Sequence, residues 1–251
     1  MNIMKRVISR KQRVSIAVSL AVSLLGSFFI CADRAMGEED MNPVRHISSD
    51  GGRSNGMKTE LKSLPKPALT GMVSVEEAIA KRRSVRGYSS EKIAAKQLSQ
   101  LLWAAQGITS TAGFRTAPSS GALYPLEIYV ANEDGLFKYR PQGHRLSLVT
   151  QEDVRKSLAD AAWGQSFIAE APVDIIICAV YEKVTSKYGS KGVRYTEIEV
   201  GHAAQNIHLQ AVALGLVSAP VGAFTDEEVS RVLNLPVKEV PIYIIPVGYK
   251  K

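Results

Sequence analysis

The segment from Glu197 to Leu214 constrains the fold more than any other part of this chain. It has the length of a long helix ended by Gly215, and its apolar and small residues lie on nearly all sides of that helix: Ala203, Ala204, Ile207, Leu209, Ala211, Val212, Ala213 and Leu214. Such a helix must be surrounded by protein, so the sequence predicts a domain built around it. A subunit interface is a natural way to cover its remaining face.

Helices and strands are predicted in mixed order around this central helix. Ser74-Val75-Glu76-Glu77 is a capping box that opens a helix toward Arg82, and further helices are expected over Lys96–Ala105, Glu152–Ala162 and Asp226–Leu233. The predicted strands are 127–131, 135–139 and 145–149, which resemble an antiparallel meander, then the β-branched run 173–181 and finally 241–247. We therefore expect an α+β fold with a central, mostly antiparallel sheet and surrounding helices.

The N-terminal 37 residues have the order of a secretory signal. A basic stretch, Met1–Arg13, is followed by 19 uncharged residues, Val14–Ala32, and then by Ala35-Met36-Gly37. Nineteen residues are also enough for a helix to cross a bilayer, so an uncleaved N-terminal membrane anchor remains an alternative. Either way we expect an exported protein. Residues 38–71 are polar and rich in Gly and Pro, which predicts a flexible linker before one domain, 72–251.

The charge distribution argues against nucleic-acid binding. Of the formal net charge of +7, the leader carries +5, so residues 33–251 carry only +2. A general nucleic-acid binder needs a basic face on its folded part. The two cysteines, Cys31 and Cys178, cannot form a CxxC metal site, and Cys178 is expected to be a small buried hydrophobe. His202 and His208 are six residues apart, which does not suit a shared metal on a helix, so we expect no metal site.

Three segments are candidate binding sites, through polar side chains or through accessible backbone groups. Arg82-Arg83-Ser84-Val85-Arg86 places three guanidinium groups and a hydroxyl at a helix end, and arginine suits bidentate recognition of phosphate oxygens. The loop 118–125 (PSSGALYP) and the small-residue run 219–224 (APVGAF) could each let backbone approach a flat polar ligand. Taken singly, the arginine segment has the ordinary interpretation of a solvated helix terminus and the loop that of a turn-rich connection, while the small-residue run alone is a weak signal.

Taken together, the ordered blocks resemble the nitroreductase family, and most closely its SagB-like branch, the thiazole/oxazole dehydrogenase-type flavin enzymes. The blocks are LPKP at Leu64, VEEAIAKRRSVRGY at Val75, LSQLLWAAQGIT at Leu98, RTAPSSGALYPLEIYV at Arg115, EVGHAAQNIHLQAVALGL at Glu199, APVGAF at Ala219 and PVG at Pro246. The resemblance runs from about Leu64 to Gly248. It implies a nitroreductase-like FMN fold that forms a homodimer, with the flavin held between subunits and the central helix in the interface.

The resemblance also assigns roles to residues. It implies that Arg82 and Ser84, with Arg83 less closely matched, contact the flavin phosphate and ribityl chain, and that Arg86 lies beside the pyrimidine edge. It implies a loop from the other subunit, Pro118, Ser119, Ser120 and Gly121, and a segment whose backbone amide faces flavin N5, Pro220, Val221, Gly222 and Ala223. Many relatives extend past the PVG block and add basic residues there; here Lys250 or Lys251 could take that place.

The implied activity is electron and hydride transfer through flavin N5 in a ping-pong cycle. In this branch a basic residue followed by tyrosine precedes the long helix and takes part in catalysis, and Arg194-Tyr195 stands there in this chain. Only Tyr195 is a plausible proton-transfer group, since arginine stays protonated; its alternative role is that of an amphipathic residue at a helix start. Candidate electron donors are NAD(P)H, a quinone, a membrane partner or the substrate, which is a small molecule or derived from a peptide. The alternative function is a non-catalytic flavin-binding or electron-relay protein.

Overall fold

A computed structural model describes residues 61–251, which form one antiparallel sheet covered by helices. The strands are β1 (Leu61–Ser63), β2 (Leu126–Asn132), β3 (Gly135–Arg140), β4 (Arg145–Thr150), β5 (Val173–Ala179), β6 (Val217–Ser218) and β7 (Val240–Gly248). The helices are α1 (Val75–Lys81), α2 (Ala95–Gln106), α3 (Arg155–Ala161), α4 (Ser166–Glu170), α5 (Glu182–Tyr188), α6 (Lys191–Ala213) and α7 (Asp226–Val232), with a 3-10 turn at Ser120–Ala122.

The seven strands are ordered β1-β4-β3-β2-β5-β7-β6, and every pair of these strands is antiparallel. Strands β2, β3 and β4 form the predicted meander. Strand β5 lies in the middle of the sheet, and all seven of its residues are buried, as its β-branched sequence requires. The predicted α+β class with a mostly antiparallel sheet is confirmed.

Helices pack on both faces of the sheet. On one face Ile175, Ile177 and Val247 contact the apolar sides of α2 and α6. On the other face Ile176, Cys178 and Ile244 contact α3, α4 and α7. Because neighbouring strand residues point to opposite faces, the unbroken apolar run of β5 supplies both cores. Cys178 is fully buried, as predicted.

The central helix α6 is longer than predicted and only partly covered. It begins at Lys191, six residues before the expected start at Glu197. Ala203, Ile207 and Ala211 are fully buried against the sheet. On the opposite side Ile198 is 50% exposed, and Gly201, His202 and Gln205 are exposed as well. A single chain therefore leaves one stripe of this helix open to solvent.

The remaining differences from the sequence predictions have local physical causes. The helix expected from Glu152 begins at Arg155, because the Asp153 carboxylate accepts the Arg155 backbone N–H (3.1 Å) and holds a turn in front of it. The short helices α4 and α5 were not predicted. Within the segment expected to be a linker, β1 pairs with β4, and the Leu64 N–H donates to the His144 carbonyl (3.1 Å).

The leader, residues 1–37, and the linker up to residue 60 lie outside the described residues, so their predicted roles stay predictions. Within residues 61–251 no helix combines the length and apolar character needed to cross a membrane.

Candidate functional site

The segment Arg82–Arg86 leaves the end of α1 and runs along the edge of the sheet. The helix starts at Ser74, whose hydroxyl accepts the Glu77 N–H (3.1 Å), and its last bond is from the Arg82 N–H to the Ala78 carbonyl (2.9 Å). The chain then becomes extended, and the Val85 N–H donates to the Ser218 carbonyl (3.1 Å). This pairing fixes the segment beside β6.

The side chains of this segment divide by exposure. Ser84 and Arg86 are exposed and Arg82 is half-buried. The Arg86 guanidinium lies 5.6 Å from the centre of the Phe167 ring on α4, a cation–π contact that fixes its position. Arg83 instead turns back on the helix, donating to the Ala80 (3.0 Å) and Arg82 (2.7 Å) carbonyls. Arg83 is also exposed, but its guanidinium is used at the helix end, whereas the side chains of Arg82, Ser84 and Arg86 form no hydrogen bond within residues 61–251.

The C-terminal residues run beside the same segment. The Ser89 N–H donates to the Tyr249 carbonyl (2.9 Å), Tyr88 pairs with Lys250, and the Lys251 N–H donates to the Gly87 carbonyl (3.2 Å). These bonds bring Lys250 and Lys251 next to the arginine segment. The arginine segment and the C-terminal residues thus form one basic surface, suited to an anion such as a phosphate.

The run Pro220–Ala223 follows β6 at this same edge. Both backbone groups of Val221 are used by Ile244, with two bonds of 2.9 Å. Gly222 and Ala223 are exposed, and within residues 61–251 their N–H groups have no backbone partner. A Cβ on Gly222 would meet nothing nearer than the Tyr243 ring at 3.7 Å. The amides of Gly222 and Ala223, and not that of Val221, are therefore open to a ligand.

His208 lies beneath this edge and was not singled out as a binding-site residue from the sequence. It is buried on α6, and its Nδ1 is 2.7 Å from the Ser218 hydroxyl oxygen. Burial, together with the smaller effect of the nearby Arg82 charge, lowers the pKa of His208 to about 4, so the ring is neutral at pH 7. It supports β6, whose Ser218 pairs with Ser84. Within the described part of the chain no three His, Cys, Asp or Glu side chains form a metal site.

The loop Pro118–Gly121 lies elsewhere in the molecule. Its backbone is unusual, with positive φ at Gly121 (62°), Ala122 (54°) and Tyr124 (48°). The Ser119 hydroxyl accepts the Tyr124 N–H (2.9 Å), and a Cβ on Gly121 would lie 2.7 Å from the Tyr188 hydroxyl oxygen. The loop is thus held in a specific shape against the end of α5.

Tyr195 belongs to this loop region and not to the arginine segment. The prediction that Arg194-Tyr195 precedes the long helix is wrong, because both residues lie inside α6. Tyr195 packs edge-to-face on Tyr188 with ring centres 5.5 Å apart. The Arg194 guanidinium lies 5.9 Å from the Tyr195 ring centre. Tyr195 therefore lies beside Tyr188, which contacts the loop at Gly121.

A buried polar cluster lies beneath the loop. Glu199, on α6, is only 2% exposed, and Ser119, Gln106 and Arg115 surround its carboxyl group. Burial raises the pKa of Glu199 to about 7, against the lowering effect of these neighbours. Gln106 accepts from the Arg115 guanidinium (2.9 Å). The glutamate was missed from the sequence, where it is one of many helix carboxylates; only tertiary packing buries it.

The predicted site residues thus fall into two groups in one chain. The first comprises Arg82, Ser84, Arg86, Gly222, Ala223 and Lys250, near His208 on α6. The second comprises the loop 118–121 and Tyr195, near Glu199. His208 follows Glu199 by nine positions on α6, which is a rise of about 13.5 Å along the helix axis at 1.5 Å per residue. A single ligand can contact both groups only if it bridges that length or if a second chain supplies one of them.

Comparison with known proteins places these features in a family context. The model of the nitroreductase family matches residues 79–249. A Methanocaldococcus jannaschii protein described as a nitroreductase is 46% identical over 184 residues, 71% of this chain and 92% of that protein. The microcin B17-processing protein McbC of Escherichia coli is 27% identical over 142 residues, 52% of each chain. A solved structure described as a nitroreductase, from Ralstonia eutropha, superposes with a TM-score of 0.70 at 28% identity, over 78% of this chain and 92% of that one.

Proposed function

Since this chain belongs to the nitroreductase family, we propose that it is an FMN-dependent oxidoreductase of the SagB-like dehydrogenase branch. One observation carries the proposal: three polar side chains without a hydrogen bond within residues 61–251, Arg82, Ser84 and Arg86, lie on the same sheet edge as the free amides of Gly222 and Ala223. A flat anionic cofactor requires both kinds of group. The likeness to McbC supports the choice of branch.

The residues present fit FMN. Arg82, Ser84 and Lys250 would hold its phosphate, since the arginine segment and the C-terminal residues lie side by side and form one basic surface. Arg86 would lie at the pyrimidine edge, where its charge stabilises an electron-rich ring. The Gly222 or Ala223 N–H would face N5. Bound FMN supplies two-electron hydride transfer at N5, so the protein's task is to bind, orient and tune.

The two separated groups support a homodimer. A second copy packed on the open stripe of α6, which includes Ile198, Gly201 and Gln205, would cover that stripe. It would also bring its own loop 118–121 and Tyr195 to the first chain's arginine segment. In this arrangement Tyr195 enters the site from the partner, where its hydroxyl can hold or move a proton; Arg194 cannot, since it stays protonated.

Substrate, electron donor and location belong to the same proposal. The leader supports an exported protein, periplasmic or anchored by an uncleaved N-terminal segment. The name of McbC refers to processing of microcin B17, which supports a peptide-derived substrate alongside small molecules. The electron donor is NAD(P)H or, outside the cytoplasm, a quinone or membrane redox partner.

A binding experiment on residues 38–251 tests the cofactor and the interface together. After mixing with FMN and desalting, we expect a yellow protein with about one FMN per chain and the mass of a dimer. Arg86→Ala should weaken FMN by about 1–3 kcal/mol, as for a lost charge-assisted hydrogen bond, and lower the flavin potential. Arg231→Ala, an exposed arginine on α7, is the matched control and should change neither.

A colourless protein, or equal FMN affinity in the Arg86 and Arg231 variants, would contradict the assignment. Turnover with a nitroaromatic or a quinone then separates an enzyme from an electron relay. An enzyme reduces such acceptors over many cycles with a soluble donor, whereas a relay binds FMN without sustained turnover.

A further inference from the structure

Glu199 and its neighbours form an incomplete set of hydrogen bonds inside the protein. Neither carboxyl oxygen of Glu199 has a well-formed hydrogen bond, and the Nε2 of Gln106 is also buried without one. Ser119 and Gln106 nevertheless lie near enough to the carboxyl group to lower its pKa. Buried polar groups are nearly always paired, because an unpaired one costs about 1–3 kcal/mol. Two unused acceptors and an unused donor in one small space indicate bonds that form in another arrangement of the same residues.

The neighbours of Glu199 are oriented as donors. The Gln106 Oε1 accepts from Arg115, so the amide NH2 is the end left free for Glu199. The Ser119 oxygen accepts from the Tyr124 N–H, which leaves the hydroxyl proton free to be donated. A protonated Glu199 would add a third donor to this set, whereas a carboxylate can accept from both groups.

The charged groups facing Glu199 agree with this assignment. Arg115, from the segment after α2, lies above the Tyr124 ring at 4.5 Å and reaches the same space. Lys183, from α5, is the second cation near it and is paired with Glu127 at 2.6 Å. Both cations favour the carboxylate, and burial alone opposes it. Turning the present contacts from Ser119 and Gln106 into well-formed hydrogen bonds would therefore shift the balance further toward the charged form.

We propose that Glu199 is a positioning residue for the loop Pro118–Gly121, accepting hydrogen bonds from Ser119 and Gln106 when the loop closes on bound flavin. This inference rests on the proposed function, because it is the flavin that draws the loop in. Glu199 does not touch the cofactor in this scheme. It acts through Ser119, by holding the strained loop in its binding shape.

The proposal has a consequence for pH. Ser119 and Gln106 already lower the pKa of Glu199 in the present arrangement. Closing the loop improves the geometry of these two contacts and lowers the pKa further below about 7, so FMN binding releases a proton from Glu199. Affinity should then rise with pH and level off above that value. From pH 6 to pH 8 we expect FMN to bind about five- to tenfold more tightly because of this group, as linkage to one proton allows.

The test is the FMN dissociation constant, measured by quenching of flavin fluorescence at pH 6, 7 and 8. Glu199→Gln keeps the shape of the side chain but cannot ionise, so its FMN affinity should lack the five- to tenfold increase between pH 6 and pH 8 that comes from this group. Ionisation of the FMN phosphate affects all variants equally and cancels in the ratio. Glu197→Gln, an exposed carboxylate two residues away on α6, is the matched control and should behave as the unmodified protein. Ser119→Ala removes one donor and should reduce the pH dependence even if the Glu199 variant does not fold.

The outcomes separate the two proposals. Equal pH dependence in the unmodified protein and the Glu199 and Ser119 variants would overturn the role of Glu199 and leave FMN binding intact. Tighter binding at pH 6 than at pH 8, relative to the Glu199 variant, would overturn it as well. Failure of the unmodified protein to bind FMN at any pH would overturn the proposed function, and the role of Glu199 with it.

Discussion

Replacing Gly121 by alanine probes the shape of the loop most directly. Gly121 has φ of 62° and ψ of 19°, which is left-handed helical backbone. A Cβ there would lie 2.7 Å from the Tyr188 hydroxyl oxygen and 3.1 Å from Lys187 Nζ. The lysine is the end of a flexible chain and can move. The Tyr188 ring is rigid and packs against Tyr195, so the loop or the ring must shift.

The cost has two parts that can be separated. Left-handed backbone costs a residue with a Cβ about 1–2 kcal/mol. Displacing the Tyr188 hydroxyl contact adds about 1 kcal/mol, the scale of an overpacked site. Gly121→Ala should therefore lower the free energy of unfolding by about 2–3 kcal/mol. In a Tyr188→Phe background, where the hydroxyl is gone, it should cost only the first part.

The assay is urea unfolding of the four proteins in this double-mutant cycle. We expect a coupling of about 1 kcal/mol between the two sites, within the range for residues in contact. FMN affinity should follow the same order, because a displaced loop cannot take its binding shape. An alanine variant as stable as the unmodified protein, or an equal cost in both backgrounds, would refute the reasoning.

Two further predictions concern buried groups. The pKa of His208 is about 4 in the folded protein and about 6.5 in the unfolded chain. The unfolded chain therefore takes up the proton first, and stability falls as the pH drops through 6.5 toward 4. Between pH 7 and pH 4.5 this group should lower the free energy of unfolding by about 2–3 kcal/mol. His208→Asn keeps a hydrogen-bond partner for Ser218 but cannot take up this proton. Measured by denaturant unfolding, its free energy of unfolding should change by about 2–3 kcal/mol less between pH 7 and pH 4.5 than that of the unmodified protein. An equal change in the two proteins would contradict the prediction. Cys178 is fully buried, and burial raises the pKa of its thiol, so residues 38–251 should react with a thiol reagent only after denaturant is added; prompt reaction of the native protein would show that the sheet opens there.

Local signals in the sequence were enough for most of the elements. The capping box at Ser74, the stop at Gly107 and the unbroken apolar run of β5 each specify structure over a few neighbouring residues, and each lies within a residue or two of its predicted place. Strand β1 and helices α4 and α5 were missed, because they are short and carry no such signal. Their conformation depends on what they pack against: β1, for example, is defined by its pairing with β4.

By itself the sequence determined the α+β class, the central buried strand, the long helix and the segments rich in binding groups. Tertiary structure alone decided how those segments are distributed. It engaged Arg83 at a helix end and used the Val221 amide in a pair of backbone hydrogen bonds. It placed Tyr195 beside Tyr188 and the loop, and not beside the arginine segment. It also made a helix carboxylate, Glu199, into a buried group surrounded by donors. The physical reason is that side-chain chemistry is a property of the residue, whereas burial and proximity are properties of the packed chain.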